Sequence, residues 1–186
     1  MNLRPTMVLT AVTTTVSALL IIAHNLTYVD TSGMLTEKLE SKCTELMGSG
    51  KYTLVTDWLE AGYDIAKPDD VKKLIVKDDG SAAFEIIADG YTKDGLDLLV
   101  SMSADGKVSG IAVISLTETP GLGSNVNDSG FLSLFNGISE EAVIVKKTPS
   151  AENEIEGVTG ATYSSKGIAA AVNTAIKTFA EMGAGK

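Results

Sequence analysis

The chain of 186 residues reads as an α+β protein: a twisted, mostly antiparallel sheet with helices packed on it, plus one N-terminal transmembrane helix. Three observations predict this. No charged residue lies between Arg4 and Asp30. From Lys73 to Leu116, short apolar segments alternate with turns containing Asp and Gly, the signature of successive hairpins. From Tyr163 to Met182, apolar residues recur at helical spacing.

The uncharged stretch contains Met7-Val8-Leu9, Val16, Leu19-Leu20-Ile21-Ile22 and Val29. At ~1.5 Å per residue it spans roughly 35 Å as a helix, enough for a hydrocarbon core of ~30 Å. Thr10, Thr13, Thr14 and Thr15 lower its hydropathy; their hydroxyls can bond backbone carbonyls or pack against a neighbouring helix. A cleaved signal peptide has an apolar run of only ~7–15 residues and a small-x-small cleavage site. Here the run is longer and no Ala-x-Ala site follows. Residues 1–30 therefore read as a retained anchor in membrane lipid, and residues 31–186 as the domain it carries. Arg4 and the amino terminus precede the span, and Asp30 and Glu37 follow it, which places the N-terminus in the cytoplasm and the domain outside. His24, at the far end, reads as interfacial.

The formal net charge of −9 argues against nucleic acid as a partner. One cysteine excludes an internal disulfide framework, and Cys43 sits on a helical pattern as a small buried hydrophobe. No His/Cys cluster and no Asp-x-Asp-x-Asp loop indicates a metal site, and no catalytic residue is assigned.

After the span, Thr31 or Ser32 is expected to cap a helix carrying Leu35, Leu39, Cys43 and Leu46, stopped by Gly48 and Gly50. Tyr52 to Tyr63 is ambiguous, with Trp58 a core residue. Strands follow at Lys73–Lys77, Ala82–Ala88, Leu96–Ser103 and Val108–Leu116; the last two flank the hairpin turn Ala104-Asp105-Gly106-Lys107. The acidic pairs Asp69-Asp70 and Asp78-Asp79 read as turns. Next comes Thr117-Glu118-Thr119-Pro120-Gly121-Leu122-Gly123. Pro120 fixes φ, Gly121 permits a positive φ, and Gly123 permits a close backbone approach. No helix clearly begins there. Phe131 to Phe135 forms a helical turn and Ala142 to Lys147 a strand. The last helix puts Ile168, Val172, Ala175, Ile176 and Phe179 on one face and ends at Gly183 and Gly185.

Glu156-Gly157-Val158-Thr159-Gly160-Ala161-Thr162 runs directly into that helix. A helix start offers free N–H groups and the positive end of the macrodipole, which suits a phosphate. A threonine there also offers an oxygen for esterification. Taken alone, such a stretch is more often a plain N-cap.

The run Gly90-Tyr91, Leu98-Leu99-Val100, Asp105-Gly106-Lys107-Val108, Glu118-Thr119-Pro120-Gly121-Leu122-Gly123 and Thr159-Gly160-Ala161-Thr162 resembles the FMN-binding domain of the G subunit of the Rnf electron-transport complex. It is also similar to the C subunit of the sodium-pumping NADH:quinone reductase. The family motif is Asp-x-x-Ser/Thr-Gly-Ala-Thr/Ser, with Glu156 here in place of the aspartate. The resemblance implies covalent FMN on Thr162 through a phosphoester, attached by a magnesium-dependent flavin transferase that uses FAD. Thr159, Gly160 and Ala161 complete the motif. Tyr163, Ser164 and Ser165 supply backbone donors to the phosphate, the two serines adding hydroxyls. Leu122 is the apolar contact for the isoalloxazine; Glu118 and Thr119 bond the ring or fix the loop, with Gly121 and Gly123 shaping it.

What the resemblance implies is an electron-transfer flavoprotein subunit of an ion-translocating ferredoxin:NAD oxidoreductase, the Rnf complex, partnered by the other membrane subunits and without a complete catalytic cycle of its own. The alternatives are the quinone-reductase subunit and a membrane-tethered sensory or binding domain without flavin.

Overall fold

The computed structural model describes residues 3–27 and 35–184. The chain forms two compact units, Met1–Thr31 and Ser32–Lys186.

In the first unit α1 runs over Leu3–Thr27. Its segment Met7–His24, mean hydropathy 1.9, is long and apolar enough to cross a membrane by length and composition. Thr13 donates to the carbonyls of Leu9 and Thr10, Thr15 to Ala11, and Thr27 to Ala23, at 2.7–3.0 Å. These hydroxyls are satisfied inside the helix, so an apolar surround does not strand them.

In the second unit α2 spans Glu37–Met47. Its N-cap is Thr36, whose hydroxyl accepts from Leu39 N at 3.4 Å; the expected caps, Thr31 and Ser32, lie outside the described residues. Gly48, at φ 73°, ends the helix. Five strands follow: β1 Tyr52–Val55, β2 Val71–Lys77, β3 Ala82–Ala88, β4 Leu96–Met102 and β5 Val108–Leu116. They form an antiparallel meander in the order β1-β2-β3-β4-β5. A 3-10 helix at Gly123–Asn127 and a short α3 at Ser129–Ser133 come next, then the three-residue strands β6 Val143–Val145 and β7 Glu154–Glu156, and finally α4 at Thr162–Ala184.

The period-2 alternation of the strands decides which side chains meet which helix. Leu74, Phe84, Leu98 and Val100 face one side with Ile168, Val172 and Ala175 of α4. Ile75, Ala83, Leu99 and Ala112 face the other, with Leu39 and Cys43 of α2. With both faces covered, β4 is buried at every position, polar Asp97 and Ser101 included. Burial, with Glu40 nearby, raises the Cys43 thiol to about 11, so it behaves as a buried hydrophobe. Trp58 lies in the core.

Several expectations shift. The ambiguous Tyr52 region supplies β1. A 3-10 helix does begin at Gly123, and β6 pairs with β7 in parallel, the exception in an otherwise antiparallel fold. Helix α4 runs through Gly183 to Ala184. Buried Glu85 and Asp97 are charge-paired: Lys73 reaches Glu85 at 3.2 Å and Lys72 reaches Asp97 at 2.8 Å. Lys73 and Glu85 are cross-strand partners, a pairing that only the register creates.

Fully buried Ile168 holds the start of α4 on the sheet. Ile168→Ala is expected to cost about 2–5 kcal/mol. That corresponds to a melting temperature lower by roughly 2–4 °C per kcal/mol, read by circular dichroism of the full chain in detergent.

Candidate cofactor site

Three loops meet at one end of the sheet: the β3–β4 connection, the segment after β5, and the residues leading into α4. Glu118 joins them. Its side chain is buried and accepts from Tyr91 N at 3.2 Å, Thr92 N at 3.0 Å and the Ser164 hydroxyl at 2.5 Å. Burial pushes the Glu118 carboxyl up, but these donors together outweigh it and hold the group below its ordinary value. Glu118 thus fixes the loops, the second of the two roles expected for it. Packing around it is tight: a Cβ on Gly90, Gly95 or Gly123 would run into its carboxylate, and on Gly123 also into the Ser164 hydroxyl. The close approach expected at Gly123 is therefore to Glu118 and the start of α4.

The segment after β5 turns at Pro120-Gly121, with Gly121 at φ 74°. Ser124 secures the turn: its hydroxyl accepts from Gly121 N at 2.9 Å, and its N–H reaches Thr119 O at 3.2 Å. Leu122 projects at the tip, 52 % exposed, beside Gly160.

The loop before α4 is tied by fully buried Ser165. Its hydroxyl accepts from Val158 N at 3.0 Å and donates to Ala161 O at 2.9 Å. Gly160, at φ 80°, lets the chain reverse into the helix. These bonds alter one expectation. The hydroxyl protons of Ser164 and Ser165 are committed to Glu118 and Ala161, so neither serine side chain is a free donor. The backbone N–H groups of Thr162, Tyr163 and Ser164, in contrast, have no acceptor among the described residues. The Thr162 hydroxyl, half-buried in the first turn, likewise has no hydrogen bond among them.

A cavity of about 380 Å³ opens on these donors, lined by Tyr91, Thr119, Leu122, Gly123 and residues 160–164. That is within the range of small-molecule sites. Thr159 is exposed and outside this lining; Glu118, Gly121 and Ser165 act behind it. Tyr91 is a lining residue that the motifs did not single out for the site, although it stands in the Gly90-Tyr91 pair of the resembling run. A larger cleft of about 510 Å³ at residues 136–140 and 151–153 is remote from this donor set and more polar.

The donor set fits a phosphate ester and the apolar rim fits a flat ring system, so the fold and the site together define a domain built to hold a phosphate-bearing aromatic cofactor. The model of the FMN-binding domain family matches residues 90–177, which include all three loops and most of α4. Residues 90–177 are thus similar to an FMN-binding domain, in line with the motifs.

Relatives add the context. The chain is 35 % identical over 91 residues to a Clostridium ljungdahlii protein described as the G subunit of a proton-translocating ferredoxin:NAD(+) oxidoreductase complex, covering 49 % of each chain. It is 39 % identical over 93 residues to the G subunit of the Na(+)-translocating ferredoxin:NAD(+) oxidoreductase complex of Acetobacterium woodii, covering 48 % of this chain and 44 % of that one. The matches thus span about half the length of these curated relatives. In fold, the chain is similar to the crystal structure of the C subunit of Na(+)-translocating NADH-quinone reductase from Parabacteroides distasonis. That match has a TM-score of 0.51 at 23 % identity and covers 78 % of this chain and 82 % of that one. Shewanella oneidensis NqrC gives 0.50 at 17 % identity, covering 81 % and 91 %.

Glu118→Gln should expose the knot's electrostatics. The amide's NH₂ opposes a donor in place of an acceptor, at a cost of about 1–3 kcal/mol at neutral pH. Because the native carboxyl sits below its ordinary value of 4.5, its contribution is complete above that pH and is lost as pH falls through the native value. The stability gap between wild type and Glu118→Gln is therefore expected to be widest at neutral pH and to shrink in acid, measured by thermal unfolding from pH 7 to pH 3.

Proposed function

We propose that this chain is the electron-transfer flavoprotein subunit of a membrane ferredoxin:NAD(+) oxidoreductase complex that translocates ions, with FMN held covalently through a phosphoester to Thr162. One observation carries the attachment: an uncommitted threonine hydroxyl stands in the first turn of α4, beside the unpartnered amides of residues 162–164 and facing the apolar cavity. The relatives' names support the complex.

Bound there, FMN supplies reversible acceptance and release of electrons. The chain's own residues bind and orient. The amides of Thr162, Tyr163 and Ser164 would donate to phosphate oxygens at the positive end of α4. Gly160, at positive φ, would let the backbone lie close to the ligand, and Thr119 lines the same cavity from the opposite loop. Leu122 would exclude water from the ring, while Glu118 and Ser165 stay bonded to protein and hold the loops at fixed spacing.

Among the described residues no acidic or basic side chain lines the cavity with Thr162, and Glu118 behind it is occupied by three donors. A separate flavin transferase fits that chemistry. Such an enzyme would join the Thr162 oxygen to the flavin-side phosphorus of FAD as the pyrophosphate bond breaks and AMP leaves, and would itself take the hydroxyl proton.

Helix α1 is long and apolar enough to cross a membrane, which supports an anchor in membrane lipid. The proposal places the N-terminus inside and residues 31–186 outside, against the other membrane subunits. The fold shared with the quinone-reductase protein admits a second reading, as the matching subunit of that complex, and the subunits that co-purify distinguish the two.

Intact-mass measurement on chain from a host containing the transferase is expected to show one FMN less one water. The added mass should lie on the Thr162 peptide and be absent in Thr162→Ala; an unmodified wild-type chain refutes the attachment. For orientation, protease added to right-side-out vesicles should digest the domain, and protection there with digestion in inverted vesicles reverses the assignment.

A further inference from the structure

The cavity has two chemically different ends. One is the row of amides at the start of α4. The other carries three large side chains that the protein leaves in water: Tyr91 is 75 % exposed, Tyr163 67 % and Leu122 52 %. The two rings stand edge to face, their centroids 6.2 Å apart and their planes at 69°. Neither hydroxyl has a hydrogen-bond partner among the described residues, so the rings are not placed by their polar tips. Their apolar faces would gain from being covered by a flat partner.

The backbone of Tyr91 is well held. Its N–H and that of Thr92 both donate to Glu118, and Gly90 N reaches Thr92 O at 3.0 Å, closing a tight turn. The ring therefore stands on a fixed stalk while making little contact with the core. Ordering cost on binding is small for a side chain presented in this way. Tyr91 and Tyr163 come from separate loops that the Glu118–Ser164 bond brings together, so the aromatic pair exists only in the folded site.

We propose that Tyr91 forms the ring-binding wall of this cavity, its phenol lying against the isoalloxazine of the FMN held at Thr162, with Tyr163 bracing it. The inference rests on the flavin reading above and adds a positioning residue to it. FMN is bipolar in the same sense as the cavity: its phosphate takes the amide end, and its flat, largely apolar ring takes the Tyr91–Leu122 end.

A phenol in contact with a flavin dims its fluorescence. On illumination the phenol gives one electron to the excited ring and takes it back, so light is lost with no net chemistry. The test uses the full chain in detergent, with flavin loading verified by intact mass. Loaded Tyr91→Leu is expected to fluoresce several-fold more brightly than loaded wild type. Tyr91→Trp, which restores an electron-rich ring, is expected to stay dim. Because the Tyr91 side chain is largely exposed, both variants should melt with wild type, which separates loss of the ring from loss of the fold. Equal brightness of loaded wild type and loaded Tyr91→Leu overturns this inference and leaves the covalent reading standing. A wild-type chain that never acquires FMN overturns both.

Discussion

One buried carboxylate organises the end of the sheet where the proposed cofactor sits. Glu118 accepts from two backbone amides of the β3–β4 loop and from the hydroxyl of Ser164 in the first turn of α4. A charge taken out of water must be compensated by donors, and here the donors come from elements far apart in sequence. Each bond that keeps the carboxylate ionised also fixes the distance between two loops. Glycine at positions 90, 95 and 123 is the steric counterpart, since a side chain at any of them would displace the carboxylate. The cavity is the space left over once these loops are pinned.

The second knot is local. Ser165 closes the loop before α4 by accepting from Val158 and donating to Ala161. The two serines after Tyr163 are thus internal fasteners, and the proposed anion site is left to main-chain amides. Amides in a first helical turn cannot rotate away or be captured by a neighbouring side chain, so they form a stiffer anion site than serine hydroxyls would. The arrangement also leaves the Thr162 hydroxyl as the uncommitted oxygen of the turn.

The strand positions were legible in the sequence because Asp-Gly turns punctuate them: Ala82–Ala88 and Val108–Leu116 are found with the expected bounds. Strand β1 was less so, since Tyr52–Val55 is short and only half-buried. Strand β6 lies inside the strand expected at Ala142–Lys147, but its parallel partner β7 was not expected, because a three-residue strand has too few positions to show a period. Of the residues expected at the site, Thr119, Leu122, Gly123 and residues 160–164 line one cavity, while Thr159 lies outside it. Tyr91 as a lining residue was not legible, since an aromatic after a glycine says nothing about which loop it will face.

Composition and spacing by themselves determined the kinds of element: an uncharged apolar span, hairpins, an amphipathic final helix, and a hydroxyl at a helix start. These are local properties, set by periodicity and backbone preference over a few residues. The folded structure decided which groups remain available for a ligand. Whether Ser164 offers its proton to a phosphate or to Glu118 depends on a residue 46 positions away. Only the packing of α4 against the sheet brings that residue within hydrogen-bond reach.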